Sequence, residues 1–85
     1  MKVIYPGSFD PITIGHLDII KRLNKMFDEV VIAILINEAK HSLFSIKERK
    51  QLIENEIKEF QLDNVKVKTF EGLLVDFAKK ENSKI

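Results

Sequence analysis

Hydrophobic and polar positions follow two different periods along the chain, and three segments have the pattern of β-strands. Residues 2–5 are a short β-prone run that ends at Pro6 and Gly7. Residues 30–36 (VVIAILI) are apolar without interruption, as expected of a strand buried on both faces of a parallel sheet. Residues 65–70 alternate between apolar and polar side chains, which predicts a third, less buried strand.

Three helices are predicted between and after these strands. Residues 15–26 carry apolar side chains three and four positions apart, which form one face of a helix that continues to Phe27. Ser45 is followed three residues later by Glu48, a capping-box signature that predicts the start of a second helix. A last short helix is expected over residues 73–80. The inward face of the second helix is expected to consist of Leu52, Ile53, Ile57 and Phe60.

The order β-α-β-α-β-α predicts an α/β fold with a doubly wound parallel sheet. A complete nucleotide-binding unit of this kind usually has five or six strands, whereas this chain offers about three. The last residues, 83–85 (SKI), would open a fourth strand. We therefore expect residues 1–85 to be the amino-terminal part of a single domain whose carboxyl-terminal half is absent from the chain.

Composition and charge then narrow the classes of function. Lys and Arg number 14 against 13 Asp and Glu, which leaves a net charge of +1 and gives no electrostatic basis for nucleic-acid binding. The absence of cysteine excludes a disulfide framework, a thiolate metal site and a cysteine nucleophile. The longest apolar run, residues 30–36, is far shorter than the ~20 residues that span a bilayer, and residues 1–7 lack the apolar region of a signal peptide. We expect a cytoplasmic protein with no membrane partner.

The segment that indicates chemistry is residues 5–16 (YPGSFDPITIGH), between the first strand and the first helix. α/β sheets bind ligands beyond the carboxyl ends of their strands. Gly7 is expected to adopt a backbone conformation closed to other residues and to let a ligand approach closely. Ser8 offers a hydroxyl and an amide. His16 lies at the opening of the helix, where free amides and the helix dipole favour phosphate.

A histidine at that position can donate a hydrogen bond to a phosphoryl oxygen. Phosphoryl and nucleotidyl transfer depend on positioning and on stabilising charge at the transferred group. The alternative is that Pro-Gly and Asp-Pro only form a turn and that His16 is an ordinary residue of the first helical turn. The whole segment in its strand–loop–helix context favours the functional interpretation.

The same segment resembles the Thr-x-Gly-His form of the His-x-Gly-His motif of the nucleotidyltransferase superfamily, preceded by Gly-Ser-Phe-Asp-Pro. In particular it resembles the phosphopantetheine adenylyltransferase family, whose members have a Rossmann-like fold. The similarity continues through residues 27–33 (FDEVVIA), 43–49 (LFSIKER) and 70–78 (FEGLLVDFA). Residues 37–40 (NEAK) resemble the family's Asn-Pro-x-Lys loop, with Glu38 in place of proline.

The resemblance implies transfer of the adenylyl group from ATP to 4′-phosphopantetheine, giving dephospho-coenzyme A and pyrophosphate, with Mg²⁺ as the cofactor and a homohexameric assembly. Two residues would be catalytic. His16 would stabilise the α-phosphate in the transition state, and Lys40 would bind the attacking phosphate. Ser8 and Phe9 would contact ATP, Ser8 would also contact the phosphate of the acceptor, and Leu74 would line its pantetheine arm.

Four other polar residues near these segments have less specific interpretations. Asp10 and Asp18 are possible metal ligands. We expect instead that Asp10 fixes the turn before Pro11 and that Asp18 favours the helix N-terminus. The roles of Glu38 and His41 in the substrate loop are left open.

Two other functions remain alternatives. One is a different nucleotidyltransferase of the same superfamily, and the other is a non-catalytic half-module that binds a phosphate-bearing ligand or associates with itself. The family's Arg-Gly-x-Arg segment and its Ser-rich loop have no counterpart in residues 1–85. We therefore expect little activity from these residues alone.

Overall fold

Three strands and three helices alternate along the chain in the order that the sequence predicts. The structure, a computed structural model, describes residues 1–37 and 42–85. The elements are β1 (Lys2–Gly7), α1 (Ile14–Met26), β2 (Glu29–Leu35), α2 (Ile46–Glu59), β3 (Val65–Phe70) and α3 (Leu74–Glu81). The predicted α/β class is thereby confirmed.

The strands form one parallel sheet in the order β1-β2-β3, so that the most apolar strand is central. Val30 of β2 lies opposite Val3 on one side and Val65 on the other. Lys84 forms a parallel bridge with Val3, with its backbone carbonyl accepting from Ile4 at 2.7 Å. The expected start of a fourth strand is therefore present as a single bridge. After α1 the chain pairs with one edge of β1 through β2, and after α3 it pairs with the other edge of β1 through Lys84.

Both faces of the sheet are covered, which gives β2 its buried character. Residues 30–34 of β2 are 0% exposed. Val30, Ile32 and Ile34 pack in one cluster with Ile20 of α1 and Ile53 of α2. The opposite face of the sheet forms a second cluster, which contains Ile4, Val31, Ala33, Phe70 and Ala78 of α3. An uninterrupted apolar run is what a strand needs when neither of its faces meets water.

The first strand is longer than predicted. Pro6 and Gly7 do not end it but pair with Ala33 and Ile34 of β2. Proline lacks a backbone N–H and is tolerated in a strand whose outer edge has no partner at that level. In the described part of the chain, the only pairing on that outer edge is the bridge made by Lys84, near the amino end of β1.

The predicted inward face of α2 is wrong at one position. Ile53 is fully buried, but Phe60 is 43% exposed. Phe60 is the C-cap residue of α2, and the ammonium of Lys21 lies 3.6 Å from the centre of its ring. A residue at the end of a helix follows the backbone of the turn rather than the helical period, so the stripe could not be extended to it.

Candidate active site at the carboxyl edge of the sheet

The carboxyl ends of the three strands surround an open cleft of about 450 Å³. Its lining comes from the end of β1, the end of β2, the β3–α3 junction and the first turn of α3, and consists of Pro6, Gly7, Ser8, Leu35, Phe70, Gly72 and Leu74. The segments after α1 and after α3 pair with opposite edges of β1. The cleft therefore lies next to a change in the direction of strand order, which is where open α/β sheets bind ligands. The structure brings together Ser8 and Leu74, two of the sequence-predicted site residues that lie 66 positions apart in the numbering of the chain.

The geometry gives Gly7 a different role from the one expected. Gly7 lies in a strand and has no positive φ. A Cβ atom at this position would lie 3.1 Å from Cε2 of the Phe9 ring. Glycine is therefore favoured by the close approach of a side chain, and the unusual backbone conformation that glycine would allow is not adopted here. The glycine with a left-handed backbone is Gly72, at φ 85, in the β3–α3 junction beside the cleft.

Phe9, expected to contact ATP, is a core residue. Its ring is 1% exposed, and its backbone adopts φ 47, in the left-handed region. The ring lies edge-on to Tyr5, at 5.3 Å between centroids, and to His16, at 4.9 Å. The Phe9 side chain therefore supports the histidine ring from within the core.

His16 is held by the cap of α1. Its Nδ1 accepts a hydrogen bond from the backbone N–H of Thr13 at 3.0 Å, while the Thr13 hydroxyl accepts from the backbone N–H of His16 at 3.2 Å. The two residues form a reciprocal capping box in which histidine takes the place usually held by Glu or Gln. Since Nδ1 is the acceptor, the proton of the neutral imidazole lies on Nε2.

Nε2 of His16 is consequently a hydrogen-bond donor. Within residues 1–37 and 42–85 no group hydrogen-bonds to it. The ring is half-buried against Phe9 and Tyr5, which restricts its orientation. Partial burial also raises the pKa of the Tyr5 phenol, so this neighbour remains uncharged at neutral pH. The result is a fixed donor at the opening of a helix, beside the loop that carries Ser8.

Asp10 makes contacts well beyond its own turn, which the sequence did not predict. Its carboxylate accepts hydrogen bonds from the backbone N–H groups of Leu43 and Phe44, both at 2.8 Å. These contacts span more than 30 residues and attach the loop after β1 to the segment that precedes α2. Sequence patterns do not report such a contact, because no local period relates the two segments.

Asp18 also differs from its expected role. It lies beyond the first turn of α1 and forms an exposed ion pair with Arg22 one turn later, at 3.1 Å. In the described part of the chain, no three His, Asp or Glu side chains come close enough together to hold a metal ion. Asp10 and Asp18 are both engaged with other groups, and neither belongs to a cluster of described residues that could hold a magnesium ion.

Lys40, the second expected catalytic residue, lies outside the described residues, as do Glu38 and His41. Two residues that support Ser8 and His16 were not predicted from the sequence. Arg49 of α2 donates a hydrogen bond from Nη1 to the Ser8 carbonyl at 3.0 Å, and Tyr5 packs against the histidine. The Thr13-x-x-His16 spacing is the same as that of a capping box, and it could have indicated how the histidine is held.

The parallel sheet, the loop after its first strand and the histidine at the helix opening together define a nucleotidyltransferase-type α/β domain. The chain belongs to the cytidylyltransferase-like family, which matches residues 4–85.

In the part of the chain that the structure describes, no helix has both the length and the apolar character needed to cross a bilayer.

Within that family the chain is similar to proteins named phosphopantetheine adenylyltransferase. It is 58% identical over 82 residues to the one from Clostridium novyi (strain NT) and 58% identical to the one from Clostridium tetani (strain Massachusetts / E88), with 96% of the chain covered in each case. It is 54% identical over 84 residues to the one from Clostridium kluyveri, with 99% of the chain covered. The resemblance drawn from the motifs is thus confirmed. The chain spans about half the length of these curated relatives.

Proposed function

We propose that this chain provides the first half of the active site of a phosphopantetheine adenylyltransferase, which transfers the adenylyl group of ATP to 4′-phosphopantetheine. The names of the similar proteins support this reaction, and the site geometry supports the assignment of roles. In the reaction, a phosphate oxygen of 4′-phosphopantetheine attacks the α-phosphorus of ATP. The bond from that phosphorus to the pyrophosphate oxygen breaks, and dephospho-coenzyme A and pyrophosphate leave.

The observation that carries the proposal is the fixed Nε2–H donor of His16. In an in-line displacement, negative charge accumulates on the oxygens of the phosphoryl group in transit, so a preorganised donor stabilises the transition state. The Thr13 cap sets the tautomer, and the Phe9 ring supports the imidazole from one side. No reorientation of the histidine is then needed during the reaction, and no covalent intermediate with the chain is required.

The cleft beside the loop suits an acceptor with a phosphate at one end and a longer, largely uncharged arm. Ser8 supplies polar groups at its β1 end, while Leu35, Phe70 and Leu74 make the other walls apolar. We assign Ser8 to phosphate contacts and Leu74 to the pantetheine arm. A polar Ser8 and an apolar Leu74 match an acceptor that is charged only at its reacting end.

Further parts of the proposal rest on the family resemblance alone. They are phosphate binding by Lys40, ATP contacts by Ser8 and the Phe9 backbone, Mg²⁺ as cofactor, a homohexamer and a cytoplasmic location. Mg²⁺ commonly binds through substrate phosphates as much as through protein carboxylates, so we expect it to arrive with ATP. The chain spans about half the length of its curated relatives, and the rest of the triphosphate site would come from the part of such a protein that the chain does not span.

The test measures pyrophosphate release from ATP and 4′-phosphopantetheine by the natural full-length protein. His16→Asn keeps an acceptor near Nδ1 for the Thr13 amide and removes the distal donor. His16→Gln keeps both a capping acceptor and a distal N–H. We expect the Asn variant to lose roughly 10²–10³-fold in kcat with little change in affinity for ATP, and the Gln variant to retain more activity.

Equal kcat values for the wild type and the Asn variant would remove His16 from the catalytic role. Tight binding of both substrates without any turnover would instead support the alternative of a non-catalytic module that binds phosphate ligands. Turnover with a different acceptor or nucleotide, and none with 4′-phosphopantetheine, would favour another nucleotidyltransferase of the superfamily. Residues 1–85 expressed alone should show little or no turnover, because the remaining phosphate contacts are expected elsewhere.

A further inference from the structure

Arg49 is a buried cation with an unusual environment. It is 6% exposed, and it is the only charged side chain classed as buried among the residues that the structure describes. It belongs to α2, which contributes Ile53 to the core one turn later. Arginine is almost never fully buried unless its charge is paired.

Among the residues that the structure describes, the guanidinium donates hydrogen bonds to neutral groups. Nη1 donates to the Ser8 carbonyl at 3.0 Å, and Nη2 is 3.5 Å from the Ser42 hydroxyl. Nε is buried without a hydrogen-bond partner. Over residues 1–37 and 42–85, no carboxylate lies within 4.0 Å of the guanidinium.

The position of Arg49 along the helix adds to the electrostatic cost. It is the fourth residue of α2, close to the helix N-terminus, where the helix dipole disfavours a positive charge. The lack of a counterion within residues 1–37 and 42–85 and the proximity to the positive end of a helix both destabilise the fold. Stability of the unliganded fold therefore does not explain an arginine at this position, whereas an anion bound close by would compensate for both effects.

The partners of Arg49 indicate where that anion would be. Ser8 belongs to the loop after β1 and lines the cleft, and it lies 41 residues from Arg49 in the chain. Ser42 immediately precedes the segment that Asp10 anchors through the Leu43 and Phe44 amides. One guanidinium thus contacts both the loop that carries Ser8 and the segment before α2.

We propose that Arg49 is a positioning residue for phosphate binding. It holds the backbone of Ser8 from beneath the loop and keeps a positive charge under the site, which a bound phosphate group then neutralises. This inference rests on the proposed function, because it takes the phosphate of 4′-phosphopantetheine as the anion. Arg49 does not contact the reacting atoms in this arrangement but acts through Ser8.

Calorimetric titration of the polypeptide as the gene encodes it tests the inference with two ligands, 4′-phosphopantetheine and pantetheine, which lacks the phosphate. Arg49→Met removes the charge and the donors, while Arg49→Lys keeps the charge but cannot reach both Ser8 and Ser42. We expect Arg49→Met to bind 4′-phosphopantetheine about 10–100-fold more weakly, with unchanged affinity for pantetheine. Arg49→Lys should show a smaller loss that is also confined to the phosphorylated ligand.

Amide hydrogen exchange without ligand provides the second readout. Both variants should exchange faster than the wild type at Ser8 and Phe9, while amides in the centre of β2 stay protected. If Arg49→Met does not fold, Arg49→Lys carries both measurements, because it keeps the buried charge near its original position.

The outcomes separate this inference from the proposed function. Binding of 4′-phosphopantetheine by the wild type with equal affinity in the folded Arg49 variants would overturn the role of Arg49 and leave the proposed function intact. An equal loss of affinity for both ligands, together with loss of protection throughout the sheet, would show that Arg49 is only structural. A wild type that binds neither ligand would overturn the proposed function, and the inference with it.

Discussion

Replacing Gly7 with alanine tests whether the aromatic support of the histidine is as close as the structure indicates. The new Cβ would lie 3.1 Å from Cε2 and 3.3 Å from Cζ of Phe9, closer than ordinary carbon–carbon contact. The ring is 1% exposed and its edges meet Tyr5 and His16, so it has little space into which to move. Gly7→Ala should therefore displace Phe9 by a few tenths of an ångström towards its neighbours.

The magnitude follows from two opposing effects. Overpacking a buried site costs about 1–3 kcal/mol, and the smaller conformational entropy of alanine in the unfolded chain returns about 0.4–1 kcal/mol. We expect Gly7→Ala to lower the free energy of unfolding by about 1–2 kcal/mol. For a domain of this size, each kcal/mol corresponds to a change in Tm of roughly 4–8 °C.

The other two glycines serve as matched controls, measured in the same thermal and urea unfolding assays. At Gly15, in the first turn of α1, a Cβ would meet only the Thr13 hydroxyl at 3.6 Å, so Gly15→Ala should stabilise by up to about 1 kcal/mol. At Gly72, φ is 85, and among the described residues no atom outside its immediate chain neighbours lies within 4 Å of the added Cβ, so alanine should cost about 1–2 kcal/mol through the backbone alone.

A double-mutant cycle with Phe9→Leu distinguishes the two kinds of cost. The smaller side chain should relieve part of the Gly7→Ala destabilisation, by more than about 0.5 kcal/mol, and should leave the effect of Gly72→Ala unchanged. A Gly7→Ala variant as stable as the wild type would refute the reasoning. So would a cycle in which the effects at Gly7 and Phe9 were simply additive.

Two further substitutions test other parts of the molecule. Thr13→Ala should destabilise by about 0.5–2 kcal/mol and lower kcat by releasing His16, whereas Thr13→Ser should restore both; a stable variant with normal kcat in pyrophosphate release would contradict this. The Glu81 carboxylate is 2.8 Å from Lys68 and 3.0 Å from Lys2, and these hydrogen bonds, that of Lys68 first, hold the pKa of Glu81 below its ordinary 4.5. A lowered pKa in the folded state contributes stability above about pH 4.5 that is lost as the pH falls through the folded value, so Glu81→Gln should be less stable than the wild type at pH 7 and the difference should shrink on acidification. A difference in urea midpoint that stays constant from pH 7 to pH 3 would count against this ion pair.

The periodic patterns of the sequence predicted the elements well, because each pattern is local. The run at residues 30–36 identified a strand covered on both faces, and the structure shows residues 30–34 fully buried. The Ser45–Glu48 signature located the start of α2, where both reciprocal hydrogen bonds are present. Errors occurred at the ends of elements, where Pro6 and Gly7 extend β1 and Phe60 turns outward.

The candidate site was only partly predictable. The motif at residues 5–16 indicated His16 and Ser8, because it combines a strand end, a turn and a helix start in one segment. It could not show that the Phe9 side chain is core, since Phe9 joins a cluster whose other members, such as Ile32 and Ile53, come from distant segments. It also could not reveal Arg49, whose partner Ser8 lies 41 residues away in the chain.

The sequence by itself therefore determined the order of strands and helices, the α/β class and the histidine that opens α1. These features depend on contacts between residues a few positions apart. The tertiary structure decided which groups meet: Ser8 with Leu74 across the cleft, Asp10 with the segment before α2, and the buried Arg49 guanidinium with the Ser8 carbonyl. Parallel strands bring their carboxyl ends to one edge only when the sheet is assembled, and distant loops acquire their chemistry from that packing.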